Sequence, residues 1–251
     1  MDLVTSHITD GLSTLMVDRG NVNALNGDVV DQLRTHLKKL ETNPKVRAIM
    51  LTGAGKFFSF GFDIPEFINF SKEQFIAFLR NFTDLYTYLF LYPKPVVAAL
   101  NGHAMAGGCM LALACDYRVM IEGKAKISLN EIGFGSSVFA GSVEMLRFWV
   151  GSATASRILY SGAMYTAEEA KHMGLVNKVA SETELTLIAA QVANDLGSKH
   201  LAAFASIKQL LRRPIAEEMM RREEASIKEF ADIWYSEATW SNLQNIKIRQ
   251  G

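Results

Sequence analysis

Short apolar segments that resemble buried strands alternate with helical segments between residues 12 and 141 of this chain. Leu12–Val17 and Val96–Leu100 have the length and apolar composition of strands. Residues 28–40 instead repeat their apolar side chains at helical spacing, and from about residue 142 the pattern is almost wholly helical. This order predicts an α/β fold with a helical C-terminal region.

The remaining predicted elements follow the same alternation. We predict further strands at residues 47–52, 117–121 and 126–129, and further helices at about 72–91, 107–114, 168–173, 182–196, 200–211 and 215–240. Pro93 and Pro95 are expected to end the helix at residue 91, because proline disrupts a helix interior. We therefore divide the chain into a core of residues 1–195 and a helical tail of residues 196–251.

Charge and segment composition exclude several classes of function. The 251 residues contain 26 Lys+Arg and 26 Asp+Glu, so no overall field attracts nucleic acid or a membrane surface. The N-terminus lacks the pattern of a secretory signal, and no apolar run reaches the roughly 18 residues of a membrane span. Cys109 and Cys115 lie in one apolar helical segment and are interpreted as buried thiols. We expect a cytoplasmic protein with no nucleic-acid or membrane partner.

Two glycine-containing loops, each directly after an apolar strand, carry the chemical signal. The first is Lys56-Phe-Phe-Ser-Phe-Gly-Phe-Asp63, and the second is Asn101-Gly-His-Ala-Met-Ala-Gly-Gly-Cys109, which runs into a helix. Glycines at a helix start let a ligand approach the backbone, where free N–H groups and the helix dipole favour negative charge. Either loop alone is also compatible with an ordinary glycine-rich turn. Their occurrence together favours a binding site.

Both loops resemble motifs of the crotonase (enoyl-CoA hydratase/isomerase) family. Ser59-Phe-Gly-Phe-Asp63 is similar to the family's F-S-x-G-x-D loop, and residues 101–116 are similar to its N-G-x-x-x-G-G-G-C…C-D segment. Asn23-Ala24-Leu25 resembles the loop that lies along coenzyme A, and residues 157–162 and 167–176 resemble the helix pair that precedes the trimerisation tail. The resemblance extends in order from about residue 5 to about residue 180.

This resemblance implies a fold, an assembly and a site. The fold is a crotonase-like spiral of ββα units with a C-terminal helical trimerisation region, assembled as a homotrimer or a dimer of trimers. The N–H groups of Phe62 and Gly107 would form an oxyanion hole for the thioester oxygen of an acyl-CoA. Coenzyme A is then part of the substrate and no separate cofactor is expected; metal-ligand spacing and a P-loop are absent from the sequence. The implied substrate contacts are Ala24, Leu25, Lys56, Ser59, Phe60, Gly61, Asp63, Gly108 and Asn130.

The acid/base group decides which reaction of this family follows. The resemblance places the two glutamates of family hydratases at Met110, which cannot transfer a proton, and at Glu131. One carboxylate can take a proton from the α-carbon and return it at the γ-carbon. We therefore predict an enoyl-CoA isomerase that shifts a double bond from the 3- to the 2-position, similar to the mitochondrial-type isomerases. A hydratase, hydrolase, lyase or dehalogenase, and a noncatalytic acyl-CoA-binding subunit, remain as alternatives. Glu131 itself could also be a solvated carboxylate at a strand end.

Several further residues have two readings. His103 could be catalytic or structural, and Glu144 could be a second carboxylate of the site or part of a solvated helix face. Lys56 could contact a phosphate or simply be exposed. A basic group in the tail could bind phosphate, contact another subunit or be solvated: Arg212, Arg213, Arg221 and Arg222. A set of phenylalanines could line an acyl tunnel or belong to the core: Phe57, Phe58, Phe60, Phe62, Phe134 and Phe139.

Overall fold

A computed structural model describes residues 2–246 of the chain. The described residues form nine strands: β1 (Val4–Thr9), β2 (Leu12–Val17), β3 (Ala48–Gly53), β4 (Phe57–Ser59), β5 (Val96–Leu100), β6 (His103–Met105), β7 (Tyr117–Ile121), β8 (Ile127–Ser128) and β9 (Lys178–Ala180). The larger sheet has the order β1-β2-β3-β5-β7-β9, and the smaller sheet has the order β4-β6-β8. All pairings are parallel except that of β1 with β2.

The helices of the described residues are α1 (Gly27–Thr42), α2 (Ile64–Phe67), α3 (Lys72–Phe90), α4 (Gly107–Ala114), α5 (Ala140–Ser161), α6 (Ala167–His172), α7 (Leu185–Ser198), α8 (Leu201–Trp234) and α9 (Glu237–Gln244), with a 3₁₀ helix at Glu131–Phe134. None of them is long and apolar enough to cross a bilayer. The predicted strands and helices are recovered, several with identical bounds. The sequence analysis missed β1, β4, β6, β9 and α2, most of which are too short to show a periodic pattern.

The chain winds as successive ββα units. Strands β3, β5 and β7 lie side by side in the larger sheet, and each is followed by a strand of the smaller sheet and then by helix. Helix α7 packs on one face of the larger sheet against β3, β5 and β7. The main core, which includes α1, α3 and α4, covers the other face. The α/β spiral implied by the family resemblance is confirmed.

The predicted break between residues 211 and 215 is wrong, because α8 continues through Pro214. Arg212 and Ala216, which flank this proline, are both buried. The helix packs along α3 and α5, so tertiary contacts outweigh the hydrogen bond that proline removes. The helix then ends at Trp234, and α9 begins after its N-cap Ser236. The predicted helix at 215–240 is therefore two helices.

Buried cations satisfy the carbonyl groups at the C-terminal ends of three helices. Lys94 Nζ donates to Leu40 O at 2.7 Å at the end of α1. Arg212 Nη1 donates to Phe90 O at 2.9 Å at the end of α3 and to Ala114 O at 3.3 Å at the end of α4. These carbonyls have no partner within their own helices, and they lie at the negative end of the helix dipole. A cation is therefore the favoured group at each position.

Candidate active site

Three loops meet at the carboxyl edge of the small sheet. Because β4, β6 and β8 are parallel neighbours, the segments that follow them lie side by side. They contain Phe60–Asp63, Ala106–Gly108 and Leu129–Glu131 respectively. The two glycine-containing loops of the sequence analysis thus converge, and a third loop brings Glu131 to the same place.

Glycines allow the first two loops to touch. Gly61 has φ +94°, and a Cβ on it would lie 2.9 Å from Met105 O and 3.2 Å from Gly107 N. A Cβ on Gly108 would lie 2.5 Å from Ser59 O. Heavy atoms do not approach this closely, so any side chain at either glycine would push the loops apart.

The N–H groups of Phe62 and Gly107 donate to no atom of residues 2–246. On either side of Phe62, Leu25 N donates to Gly61 O at 2.7 Å and Asp63 N donates to Leu25 O at 3.0 Å. In an extended segment these flanking groups face Leu25, so the N–H of Phe62 faces away from it. Gly107 begins α4, whose first N–H groups have no helical partner. Two free backbone donors therefore stand on neighbouring loops.

A cavity of about 240 Å³ lies beside these loops and has mostly apolar walls. Its lining residues are Phe60, Phe62, Ile64, Met105, Ala106, Met110, Asn130, Glu131, Phe134, Phe139, Phe230, Trp234 and Ile246. Six phenylalanines were predicted as possible lining residues of an acyl tunnel, and four of them line this cavity: Phe60, Phe62, Phe134 and Phe139. Phe58 is in the core, and Phe57 packs on His103.

Among residues 2–246, Glu131 is the one acidic residue that lines the cavity. It is the first residue of the 3₁₀ helix, only 3% exposed, and neither carboxyl oxygen has a hydrogen-bond partner among the described residues. Burial raises the pKa of Glu131 to about 8, because a charge is poorly stabilised away from water. The alternative reading of a solvated strand-end carboxylate is therefore wrong. A strongly perturbed carboxyl group in a cleft is typical of a functional site.

The burial of Glu131 gives a stability prediction that does not depend on the reaction. Folding raises its pKa to about 8 from an ordinary value of about 4.3. The contribution of Glu131 to the free energy of unfolding is therefore most favourable below about pH 4 and is lost as pH rises from about 4 through 8. Glu131→Gln has no charge to bury, so its melting temperature relative to wild type should increase between pH 5 and pH 9. At about 1.4 kcal/mol per pKa unit, the free energy of unfolding of the variant, relative to wild type, should rise by a few kcal/mol over this pH range.

Thermal unfolding of both proteins at pH 5, 7 and 9 measures this difference. Glu144→Gln is the matched control, because the Glu144 carboxylate already pairs with Arg147 and Arg222 at the surface. If the difference in melting temperature between Glu131→Gln and wild type does not change with pH, the carboxyl group of Glu131 is not buried without a partner as described.

Met110 occupies the cavity wall where the hydratase resemblance expects a carboxylate. Its side chain is buried, so among described residues Glu131 has no acidic partner in the lining. Glu144, the other candidate carboxylate, is not in the lining and is held by two arginines. His103 is likewise outside the lining, where its Nδ1 accepts from Lys126 N at 3.2 Å.

Several predicted contact residues have partners within the chain. Asp63 caps α2 and forms a 2.6 Å ion pair with Arg19, and Ser59 Oγ donates to Asn23 O at 2.7 Å. We interpret both side chains as holding the first loop in shape. The side chains of Ala24 and Leu25 are buried beneath that loop, whereas Lys56 is exposed on it.

The four arginines of the tail do not form one basic patch. Arg212 is buried and pairs with Asp116 at 3.0 Å. Each of the other three arginines donates a hydrogen bond to a nearby side chain: Arg213 to Gln209, Arg221 to Glu218 and Arg222 to Glu144. Arg212 is therefore a structural residue, because its charge is compensated far from solvent.

The sequence analysis did not predict that α8 contributes to this cavity. Phe230 and Trp234 lie one helical turn apart and both line it. Within residues 2–246 the buried Nε1 of Trp234 has no hydrogen-bond partner. The i, i+4 spacing of these two large aromatic residues could have indicated a buried helix face. It could not have indicated which element that face packs against.

Comparison with known proteins gives consistent matches along most of the chain. A family model described as Enoyl-CoA hydratase/isomerase matches residues 8–243. The short-chain-enoyl-CoA hydratase of Clostridium acetobutylicum is 34% identical over 76% of this chain and 74% of its own length. Enoyl-CoA delta isomerase 1, mitochondrial, of Mus musculus is 28% identical over 99% of this chain and 88% of its own. The human mitochondrial delta3-delta2-enoyl-CoA isomerase structure superposes with a TM-score of 0.92 at 25% identity, covering 96% of this chain and 95% of that one.

Proposed function

Because this chain belongs to the crotonase (enoyl-CoA hydratase/isomerase) family, we propose that it is an enoyl-CoA isomerase that converts a 3-enoyl-CoA to the 2-enoyl-CoA. The observation that carries the proposal is a single buried carboxyl group, Glu131, in an otherwise apolar cavity beside two free backbone donors. No cofactor is required, since coenzyme A belongs to the substrate.

In this reaction Glu131 carries one proton between two carbons. Its carboxylate removes a proton from C2, and the electron pair of that bond moves onto the thioester oxygen as an enolate. The N–H groups of Phe62 and Gly107 stabilise this oxygen, more strongly in the transition state than in the ground state. The protonated Glu131 then donates the proton to C4, and the double bond moves from C3–C4 to C2–C3. The net change is an isomerisation, with no water consumed.

The environment of Glu131 suits this role. A base works best when its pKa lies near the working pH, and burial raises that of Glu131 to about 8. Addition of water would require a second group to position and activate a water molecule. Met110 is an apolar residue at the place where that group would lie, which supports isomerisation over hydration.

Hydration is the second candidate, because the Clostridium acetobutylicum hydratase is more similar in sequence than the mouse isomerase. The coenzyme A portion is proposed to lie along the loop of Ala24 and Leu25, with Lys56 near a phosphate. We also propose that the chain forms a trimer or a dimer of trimers. The N-terminal part of α8 supports this, since its outer face exposes large apolar residues, namely Ile207, Leu210 and Leu211.

A product assay separates the two candidate reactions. We expect the protein to convert a 3-enoyl-CoA to the 2-enoyl-CoA faster than it hydrates a 2-enoyl-CoA, because only one carboxylate is available. Both products must be resolved chromatographically, since hydration and isomerisation can give the same absorbance change. Met110→Glu introduces a second carboxylate into the cavity and should add hydratase activity without abolishing isomerase activity. Faster hydration than isomerisation by the wild-type protein would reject the isomerase assignment and leave acyl-CoA binding intact.

A further inference from the structure

One face of α8 carries both the inner wall of the cavity and the contacts that hold that wall in place. We propose that this face, formed by Glu223, Ser226, Phe230 and Trp234 and called here the α8 stripe, sets the depth of the acyl cavity and restricts the enzyme to short- and medium-chain acyl groups. Phe230 is the specificity-determining residue, and Glu223 and Ser226 accept hydrogen bonds from the start of α5. The inference rests on the proposed function, because it concerns the acyl-CoA that this site would bind.

The exposure of the lining residues shows which end of the cavity is closed. Phe60 is 39% exposed, whereas Phe139, Phe230 and Trp234 are at most 1% exposed. Phe60 therefore lies at the mouth, and the three buried aromatic residues form the floor. The ring centroids of Phe139 and Phe230 are 4.4 Å apart, and those of Phe230 and Trp234 are 5.7 Å apart. Rings at these distances leave no passage between them.

The upper part of the α8 stripe fixes the start of α5, which carries Phe139. Phe139 is the N-cap of α5, but its side chain cannot accept a hydrogen bond. Instead, Ser226 Oγ accepts from Ala140 N at 3.0 Å, and Glu223 Oε2 accepts from Gly141 N at 2.9 Å. Helix α8 thus supplies the cap that α5 lacks.

Helix α3 holds the same carboxylate from the other side. Tyr86 Oη donates to Glu223 Oε1 at 2.7 Å. A Cβ on Gly141 would lie 2.5 Å from Tyr86 Oη and 2.7 Å from Glu223 Oε2, so the junction admits no larger residue. Because residues 223, 226, 230 and 234 are three or four positions apart, they share one helix face. Fixing Glu223 therefore also fixes Phe230 against Phe139.

The cavity volume indicates which chain length fits. The volume is about 240 Å³, and by comparison a protein cavity of about 150 Å³ holds benzene, with its six carbon atoms. About eight carbon atoms fit before the chain reaches the floor. Each methylene that gains burial is worth about fourfold in affinity, and a chain beyond this length gains nothing further.

Binding of saturated acyl-CoAs of four to sixteen carbons, measured by titration calorimetry, tests the proposal without any turnover. Wild-type affinity should rise to about eight carbons and then level or fall. Phe230→Leu should move the optimum to twelve carbons or more, with at least a tenfold gain for dodecanoyl-CoA, and Phe230→Trp should move it the opposite way. Phe75→Leu is the matched control, because Phe75 packs on Phe230 and Trp234 but does not line the cavity.

Phe75→Leu should keep the wild-type profile of affinity against chain length. Wild-type affinity that still rises to sixteen carbons, or identical profiles for Phe230→Leu and Phe75→Leu, would overturn the proposal. An unchanged optimum in both Phe230 variants would do the same. Because binding is measured and not reaction, a failure of the isomerase assignment would be seen separately, as the absence of a double-bond shift.

Discussion

Replacing Glu131 by Gln should lower turnover of a 3-enoyl-CoA by about 10²–10⁴-fold, the range expected for a positioned proton-transfer group. The substitution keeps the size of the side chain and removes only its ability to take a proton. Acyl-CoA binding should stay near the wild-type value, since the cavity walls and the two backbone donors are unchanged. Rapid-quench kinetics together with titration calorimetry would measure turnover and binding separately.

The pH profile gives a second readout of the same variant. Since the carboxylate is the active form of the base, wild-type kcat/KM should rise with pH through the pKa of Glu131, about 8. That rise should be missing in Glu131→Gln. Glu144→Gln should retain both the rate and the profile, because Glu144 lies outside the cavity lining. Full isomerase activity in Glu131→Gln would refute the mechanism.

Substituting Gly61 by Ala should reduce kcat/KM by about 10²-fold or more. The new Cβ would lie 2.9 Å from Met105 O and 3.2 Å from Gly107 N, so the two loops must separate. The N–H groups of Phe62 and Gly107 then no longer converge on one oxygen. Loss of one such donor costs about 10²–10³ in kcat. Circular dichroism and steady-state kinetics on the purified variant would test this.

Gly55→Ala is the control for backbone strain. Gly55 lies before the same loop and also has positive φ, +65°, but a Cβ there meets nothing within 4 Å. Both variants carry the conformational cost of a positive φ, and only Gly61→Ala forces the loops apart. Equal losses of activity in the two variants would mean that strain, and not the separation of the donors, is responsible.

The strands and helices that carry clear apolar patterns were predictable because they depend on local signals. Buried strands β5 and β7 and helix α4 have the bounds that their apolar patterns predict. The pairing of Phe62 with Gly107 rested on the family resemblance, because β4 and β6, the parallel strands that bring the two loops together, were not predicted. Glu131 could be proposed only through the family resemblance, because a lone carboxylate at a strand end carries no pattern of its own.

The role of α8 could not be predicted, because it depends on contacts distant in sequence. Arg212 looked like part of a basic surface, yet its partner Asp116 is almost a hundred residues earlier. Pro214 looked like a break, yet packing on α3 and α5 keeps the helix continuous. The division at residue 195 separated a tail expected to serve assembly, and the inner face of this tail also packs on α3 and α5 of its own chain. Propensity and periodicity describe neighbours along the chain, and these effects arise between elements that meet only in the folded protein.

The position of α8 also has a consequence for the order of folding. Its bonds to Asp116, Phe90 and Tyr86 close loops of 92, 122 and 137 residues. Contacts of such long range are entropically costly to form and are typical of slow-folding topologies. We expect the sheet and its loops to form first from nearer partners, and the floor of the cavity to form when α8 docks. We therefore expect the carboxyl group of Glu131 to lose its contact with water at a late step of folding, after most of the surrounding scaffold is in place.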